Sequence, residues 1–151
     1  MDALGSLCRE LGVAGSVELL GWMEPSDLQG LLRSSDVLVH PSPVPDPFPN
    51  AVLEGMAAGM AVLGSRCCGS VIDRVIEGES GMLHEPGGVS DLAEDIAWCL
   101  DHPDEVERMG REAERTAARW PVERSVDIIR DLADGRFPRF AQIAWPCPTG
   151  V

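Results

Sequence analysis

Short apolar runs alternate with amphipathic stretches along this chain. Leu4, Leu7, Cys8 and Leu11 recur at helical spacing, and Gly12 then stops the run. Val17 to Leu20 reads as a short strand ending at Gly21. Pro25-Ser26-Asp27 opens a second helix, with Ser26 as its cap and Leu28, Leu31 and Leu32 as its buried stripe. Asp36 to His40 is the next strand, halted by Pro41. Prolines at 41, 43, 45, 47 and 49 exclude a helix or a central strand and make the following loop stiff. Val52, Leu53, Met56 and Ala57 predict a helix from Asn50 to Gly59, and Ala61 to Gly64 a further strand.

A Cys-Cys-Gly-Ser loop, a short helix around Val71 to Ile76 and a strand at Met82-Leu83-His84 come next. Three more helices are expected: one from Ser90 and Asp91, one from Pro103, and one over Arg124 to Asp134. The tail, residues 135–151, has three prolines and scattered aromatics and is assigned no regular structure. Strands separated by helices predict a parallel α/β sheet with helices on both faces. Ligands of such sheets sit at the carboxyl ends of the strands, which here means the loops after His40 and Gly64.

A chain of 151 residues, 44% hydrophobic and 25% charged, makes one ordinary globular domain. Its 12 basic and 25 acidic residues leave a net charge of −13, which disfavours nucleic acid and anionic lipid. Every basic residue other than His is Arg, so a catalytic Lys, a Schiff base and a P-loop Lys are excluded within these residues. The N-terminus lacks the positive and apolar regions of a signal peptide, and no run is long enough to span a bilayer. Five cysteines without a C-x-x-C spacing read as reduced thiols of a cytoplasmic protein.

The segment Pro41 to Gly59 holds the candidate chemistry. It places Asp46 in a rigid loop after a strand and Glu54 in the second turn of the following helix. The helix start at Asn50 to Val52 offers free N–H groups and a positive dipole end to an anion. Carboxylates beside such an end suit a ligand carrying both phosphate and hydroxyls. The same residues also read as a turn former and a solvated helix residue, and spacing does not decide between the two.

Longer motifs do. Pro41-Ser42, then Asp46-Pro-Phe-Pro-Asn-Ala-Val-Leu-Glu-Gly-Met-Ala-Ala-Gly59, then Ala61-Val62, resembles the donor-site signature of retaining GT-B glycosyltransferases of family 4, the glycosyl transferases group 1. Val17-Glu-Leu-Leu-Gly21, Ser35-Asp36-Val37, Gly69-Ser-Val-Ile-Asp73, Glu77-Gly-Glu-Ser-Gly-Met-Leu83 and Trp120 fall in register with other motifs of that family. The resemblance covers residues 1–134 and implies a partial Rossmann-like C-terminal GT-B domain, a nucleotide-sugar donor and no essential metal or cofactor.

Residue by residue, the resemblance implies that Glu54 accepts hydrogen bonds from the nucleotide ribose. Asp46, the catalytic candidate, would contact hydroxyls of the transferred sugar. Backbone amides after that acid would hold the sugar, and only Phe48 and Asn50 can donate, because Pro47 and Pro49 have no N–H. Gly21 would let the backbone approach the base or ribose, and Ser42 completes the substrate-binding set.

The family pattern also departs here: Asp stands for Glu at 46, Ser70 for a glycine, and Met60-Ala61 for x-Pro. Against that pattern the chain starts before the third strand of the donor domain. It lacks two central strands, the phosphate-binding Arg and Lys, and an N-terminal acceptor domain. With the strand order 3-2-1-4-5-6 the missing strands would lie between Val17–Leu20 and Val37–His40, leaving open, aggregation-prone edges. The chain alone is therefore expected to be inactive, with its missing domain or a partner chain needed. The complete enzyme would be cytoplasmic and peripheral to the membrane. The alternative is a non-catalytic fragment that at most binds nucleotide or a partner chain. A receiver-like regulator is disfavoured by the absence of Lys.

His40, Arg66, Arg74, Cys67 and Cys68 border the candidate site. The first is expected to be structural, the arginines to be at the surface and the thiols inert. His84 and His102 are expected in solvated turns, and Trp22 at the nucleotide rim or in the core.

Overall fold

In a computed structural model of the chain, residues 2–136 are described, so the tail from 137 onward lies outside the described residues. They divide into two units, one up to Leu31 and one from Leu32 onward.

In the first unit α1 spans Asp2–Glu10 and α2 begins at Pro25, running to Arg33. Gly12 ends the first helical run at a φ of 71°, a left-handed conformation that costs glycine nothing. Pro25 is the first helical residue of α2, where its missing N–H is harmless, so Ser26 lies inside the helix and is not its cap. Residues 17–20 form no strand, contrary to expectation. A strand exists by pairing, and no described segment ladders with this one. The apolar positions remain open: Leu4 is 59% and Trp22 80% exposed, so Trp22 is not a core residue.

The second unit is built on three parallel strands, β1 (Val37–His40), β2 (Ala61–Ser65) and β3 (Gly81–His84), in the order β1-β2-β3. Val37 pairs with Ala61 and His40 with Gly64; Val62 pairs with Gly81 and Ser65 with His84. The connections are α3 (Asn50–Ala57) between β1 and β2 and α4 (Gly69–Arg74) between β2 and β3. After β3 come α5 (Val89–Asp101), α6 (Pro103–Ala117) and α7 (Val122–Ala133).

All five residues of the central strand are buried, and they alternate between two cores. Val62 joins Val52 and Met56 of α3, Val71 of α4 and Ala113 of α6. Ala61 and Leu63 join Cys99 of α5 with Val106 and Met109 of α6. This is the expected α/β, Rossmann-like architecture, with helices on both faces of a parallel sheet. Fully burying side chains such as Val62 and Leu63 contributes about 1.5–3 kcal/mol each. Close packing requires small residues: a Cβ on Gly110 would stand 2.0 Å from the Gly59 carbonyl oxygen.

Among the described residues no helix is long and apolar enough to cross a membrane.

Candidate functional site

The carboxyl ends of β1, β2 and β3 carry the loops that form the site. Residues 41–49 leave β1 and must turn back into α3. Their prolines cannot ladder, so the loop is held by the neighbouring β2–α4 turn instead. A single parallel bridge joins Asp46 to Cys68, with the Asp46 amide donating to the Cys67 carbonyl at 3.4 Å and the Gly69 amide to the Asp46 carbonyl at 2.9 Å. The Ser70 hydroxyl donates to the Pro49 carbonyl at 3.0 Å. Gly69 sits where it does because nothing larger fits: a Cβ there would lie 2.0 Å from the Pro47 oxygen.

Cys67 adds a second clasp. Its thiol reaches the carbonyls of Ser42 at 3.2 Å and Val44 at 3.1 Å, and the Ser65 hydroxyl lies 3.2 Å from its sulfur. Burial pushes the adjacent Cys68 thiol above its usual value, and Cys67 and Asp46 add to the effect. The two thiols expected to be inert thus form the wall on which the loop rests.

On that loop Asp46 is 40% exposed at its side chain, and its Oδ2 lies 3.8 Å from Nε2 of His40, the last residue of β1. Glu54 lies in the second turn of α3, exposed. Asn50 starts α3, and helix geometry leaves the Asn50 and Ala51 amides without an intrahelical partner; the Val52 amide reaches the Pro49 carbonyl at 3.3 Å. Pro49 is the N-cap and offers no side-chain hydrogen bond, so the dipole end is not closed by the chain itself. Ser42 spends its hydroxyl proton on the Val44 carbonyl at 2.8 Å, stiffening the loop. Gly21, with a φ of 69°, belongs to the first unit.

The arginines behave differently from one another. Arg66 is at the surface, as expected, held by Glu77 at 2.8 Å and Glu85 at 3.4 Å. Arg74 is not at the surface: it is only 6% exposed, with its guanidinium carbon 4.2 Å from the centroid of Phe48 and 4.8 Å from that of Trp120. Burial lowers its pKa, opposed by nearby Asp73. The sequence signal for this was its place on a short helix between Val71-Ile72 and Val75-Ile76. His84 is also buried, at 3% exposure, because β3 continues through it to pair with Ser65. His102 is exposed, as expected, and stacks on Trp98 with 4.4 Å between ring centroids.

Taken together, Asp46, Phe48, Asn50 and Glu54 occupy one loop–helix segment at the carboxyl end of β1. The segment offers carboxylate acceptors and unpaired amides, the complement of a ligand with hydroxyls and negative charge.

Known proteins match this chain in sequence and in fold. The family model described as glycosyl transferases group 1 matches residues 2–116. An uncharacterized glycosyltransferase of Methanocaldococcus jannaschii is 36% identical over 100 residues, 66% of this chain and 24% of the relative. The D-inositol 3-phosphate glycosyltransferase of Corynebacterium glutamicum is 31% identical over 112 residues, 74% of this chain and 26% of the relative. The crystal structure of HepE from Anabaena in complex with UDP-glucose superposes with a TM-score of 0.78 at 25% identity, covering 88% of this chain and 36% of that one. The chain thus spans about a quarter of the length of the curated relatives it matches. With the parallel sheet, the loop–helix segment and these matches, the chain belongs to the glycosyl transferases group 1 family and has the Rossmann-like fold of the GT-B C-terminal domain.

Proposed function

We propose that this chain forms the donor-binding part of a retaining, metal-independent family-4 glycosyltransferase and binds a nucleotide sugar along Pro41 to Gly59. Glu54 accepts hydrogen bonds from the ribose, and Asp46 accepts them from hydroxyls of the transferred sugar. The amides of Phe48 and Asn50 hold that sugar, while the open N-terminus of α3 faces the diphosphate charge. In the transfer, the bond between the anomeric carbon and the diphosphate oxygen breaks, and the nucleoside diphosphate leaves with the electron pair. A new bond to an acceptor oxygen then forms on the same face, and the proton of the acceptor hydroxyl passes to the departing diphosphate oxygen. Preorganised donors aimed at the leaving group supply charge stabilisation at no reorganisation cost.

The observation that carries this reading is the clamped loop itself. Five contacts from residues 67–70 fix the 42–49 backbone, so the backbone that carries Asp46 and leads into α3 is set before any ligand arrives. The crystal structure of HepE with UDP-glucose, which shares this fold, supports a nucleotide sugar as the ligand class.

Calorimetric titration with UDP-glucose, GDP-mannose and ADP-glucose in the presence of EDTA tests the proposal. One of them should bind, and Glu54→Ala should weaken it about 10- to 100-fold, the worth of a hydrogen bond to a charged group. Equal binding by wild type and Glu54→Ala would reject the assignment. Binding restored only by a divalent cation would reject metal independence.

A further inference from the structure

His40 ends β1 with an imidazole that is buried at one nitrogen and wet elsewhere. Its Nε2 is buried and has no hydrogen-bond partner among the described residues, while 21% of the side chain stays open to solvent, enough for the ring to exchange protons. Nε2 faces the Asp46 carboxylate, whose Oδ2 at 3.8 Å is too far for a hydrogen bond. An imidazole unprotonated at Nε2 presents a lone pair there, and a lone pair does not bond a carboxylate oxygen. Protonation puts an N–H on both ring nitrogens and turns the same approach into a charge-assisted hydrogen bond.

Asp46 can answer that change with its side chain alone. Its backbone is held on both sides, the amide by the Cys67 carbonyl and the carbonyl by the Gly69 amide, whereas the carboxylate is 40% exposed. A carboxylate has two oxygens, so one held by His40 leaves the other for a ligand hydroxyl. Around the ring, β2 carries no charged side chain, α3 carries Glu54, and the loop 41–49 carries Asp46. On the β2–α4 turn Arg66 is engaged by Glu77 and Glu85, and Cys67 and Cys68 are the remaining titratable groups.

We infer that His40 is a positioning residue: in its protonated form it anchors one oxygen of Asp46, turns the other toward the transferred sugar and so makes donor affinity depend on the charge of His40. The effect on binding rests on the donor reading above; the pairing of His40 with Asp46 does not. The diphosphate of a nucleotide sugar keeps its charge over the range in which a histidine titrates, so the ligand adds no titration of its own.

Amide spectra of the full 151-residue chain without ligand, recorded from about pH 8 to about pH 5.5, test the pair. The Asp46 amide signal should move in wild type and stay in place in His40→Gln, which keeps a polar side chain but gains no charge. Calorimetric titration with UDP-glucose, GDP-mannose and ADP-glucose tests the consequence. The donor that binds should bind about two- to fivefold more tightly at the lower pH, and the gain should vanish in both His40→Gln and Asp46→Asn. A gain that survives in Asp46→Asn would show His40 acting on the donor without Asp46 and would overturn the inference, as would a pH-independent Asp46 amide or a pH-independent affinity in wild type. If none of the three sugars binds at either pH, the donor reading fails, and the amide comparison alone decides whether His40 governs Asp46. If His40→Gln does not fold, the Asp46→Asn titration decides.

Discussion

His40 Nε2 stands 3.8 Å from Asp46 Oδ2, across the end of β1 from the loop that the strand feeds. Nε2 is buried and has no hydrogen-bond partner among the described residues, and the Asp46 carboxylate is the charged group it faces. A half-exposed pair of this kind is worth about 0.2–1 kcal/mol. His40→Ala should therefore weaken nucleotide-sugar binding about two- to fivefold by freeing the Asp46 rotamer, while Asp46→Ala weakens it more. Calorimetry on the two variants checks this, and a larger loss for His40→Ala than for Asp46→Ala would reverse the roles.

Gly69 allows the closest approach of the two loops. Adding a methyl group 2.0 Å from the Pro47 oxygen forces backbone to move, because no flexible side-chain end is there to yield. Gly69→Ala should cost about 1–3 kcal/mol in urea unfolding and weaken donor binding with it. An unchanged midpoint would mean that the Pro47 loop is not clamped.

The cysteines should differ in reactivity. Burial raises the Cys68 and Cys99 thiols, so both hold less thiolate at pH 8 than an exposed cysteine does. Iodoacetamide followed by mass spectrometry should therefore label half-buried Cys8 and Cys67 well before Cys68 and Cys99 in the folded chain. Labelling at Cys67 should abolish donor binding, since its sulfur holds the Ser42 and Val44 carbonyls. Cys67→Ser should keep binding, and labelling of Cys68 first would contradict the clasp.

Asp95 supplies a pH test. Burial raises its pKa above 3.8, the carboxylates of Asp91, Glu77 and Glu94 add to that, and His84 opposes it. A carboxyl whose folded pKa is raised favours folding most when protonated. That contribution is present below the unfolded value and is lost as pH rises through the folded one. Asp95→Asn should therefore be more stable than wild type at pH 7, by about 1 kcal/mol or less, with the difference fading toward pH 3. Thermal melts across that range check the sign.

Most of the architecture was legible in the sequence because it is written in local chemistry. Gly12, Pro25, Gly59 and Pro103 mark helix ends wherever a backbone angle or a missing N–H dictates them. The apolar run Ala61 to Leu63 marks the one strand buried on both faces. Val17–Leu20 misled, because its apolar content speaks for a strand but a strand needs a neighbour that no local pattern supplies. The environment of His84 was hidden for the same reason, and that of Arg74 was signalled only by its apolar neighbours Val71-Ile72 and Val75-Ile76. Burial is decided by which segments pack from afar, here the Phe48 loop and Trp120 for Arg74. The loop and its Asp46–Glu54 spacing could be read directly; the thiol clasp and the His40 contact are long-range and could not.

The most direct test of the donor site is amide chemical-shift mapping of the chain during titration with the nucleotide sugar that binds. Perturbations should concentrate at Phe48, Asn50, Ala51 and Glu54 and disappear in Glu54→Ala. Shifts confined to the separate groove of about 460 Å³ lined by Val37, Ile96 and Leu100, with residues 46–54 unmoved, would contradict the account.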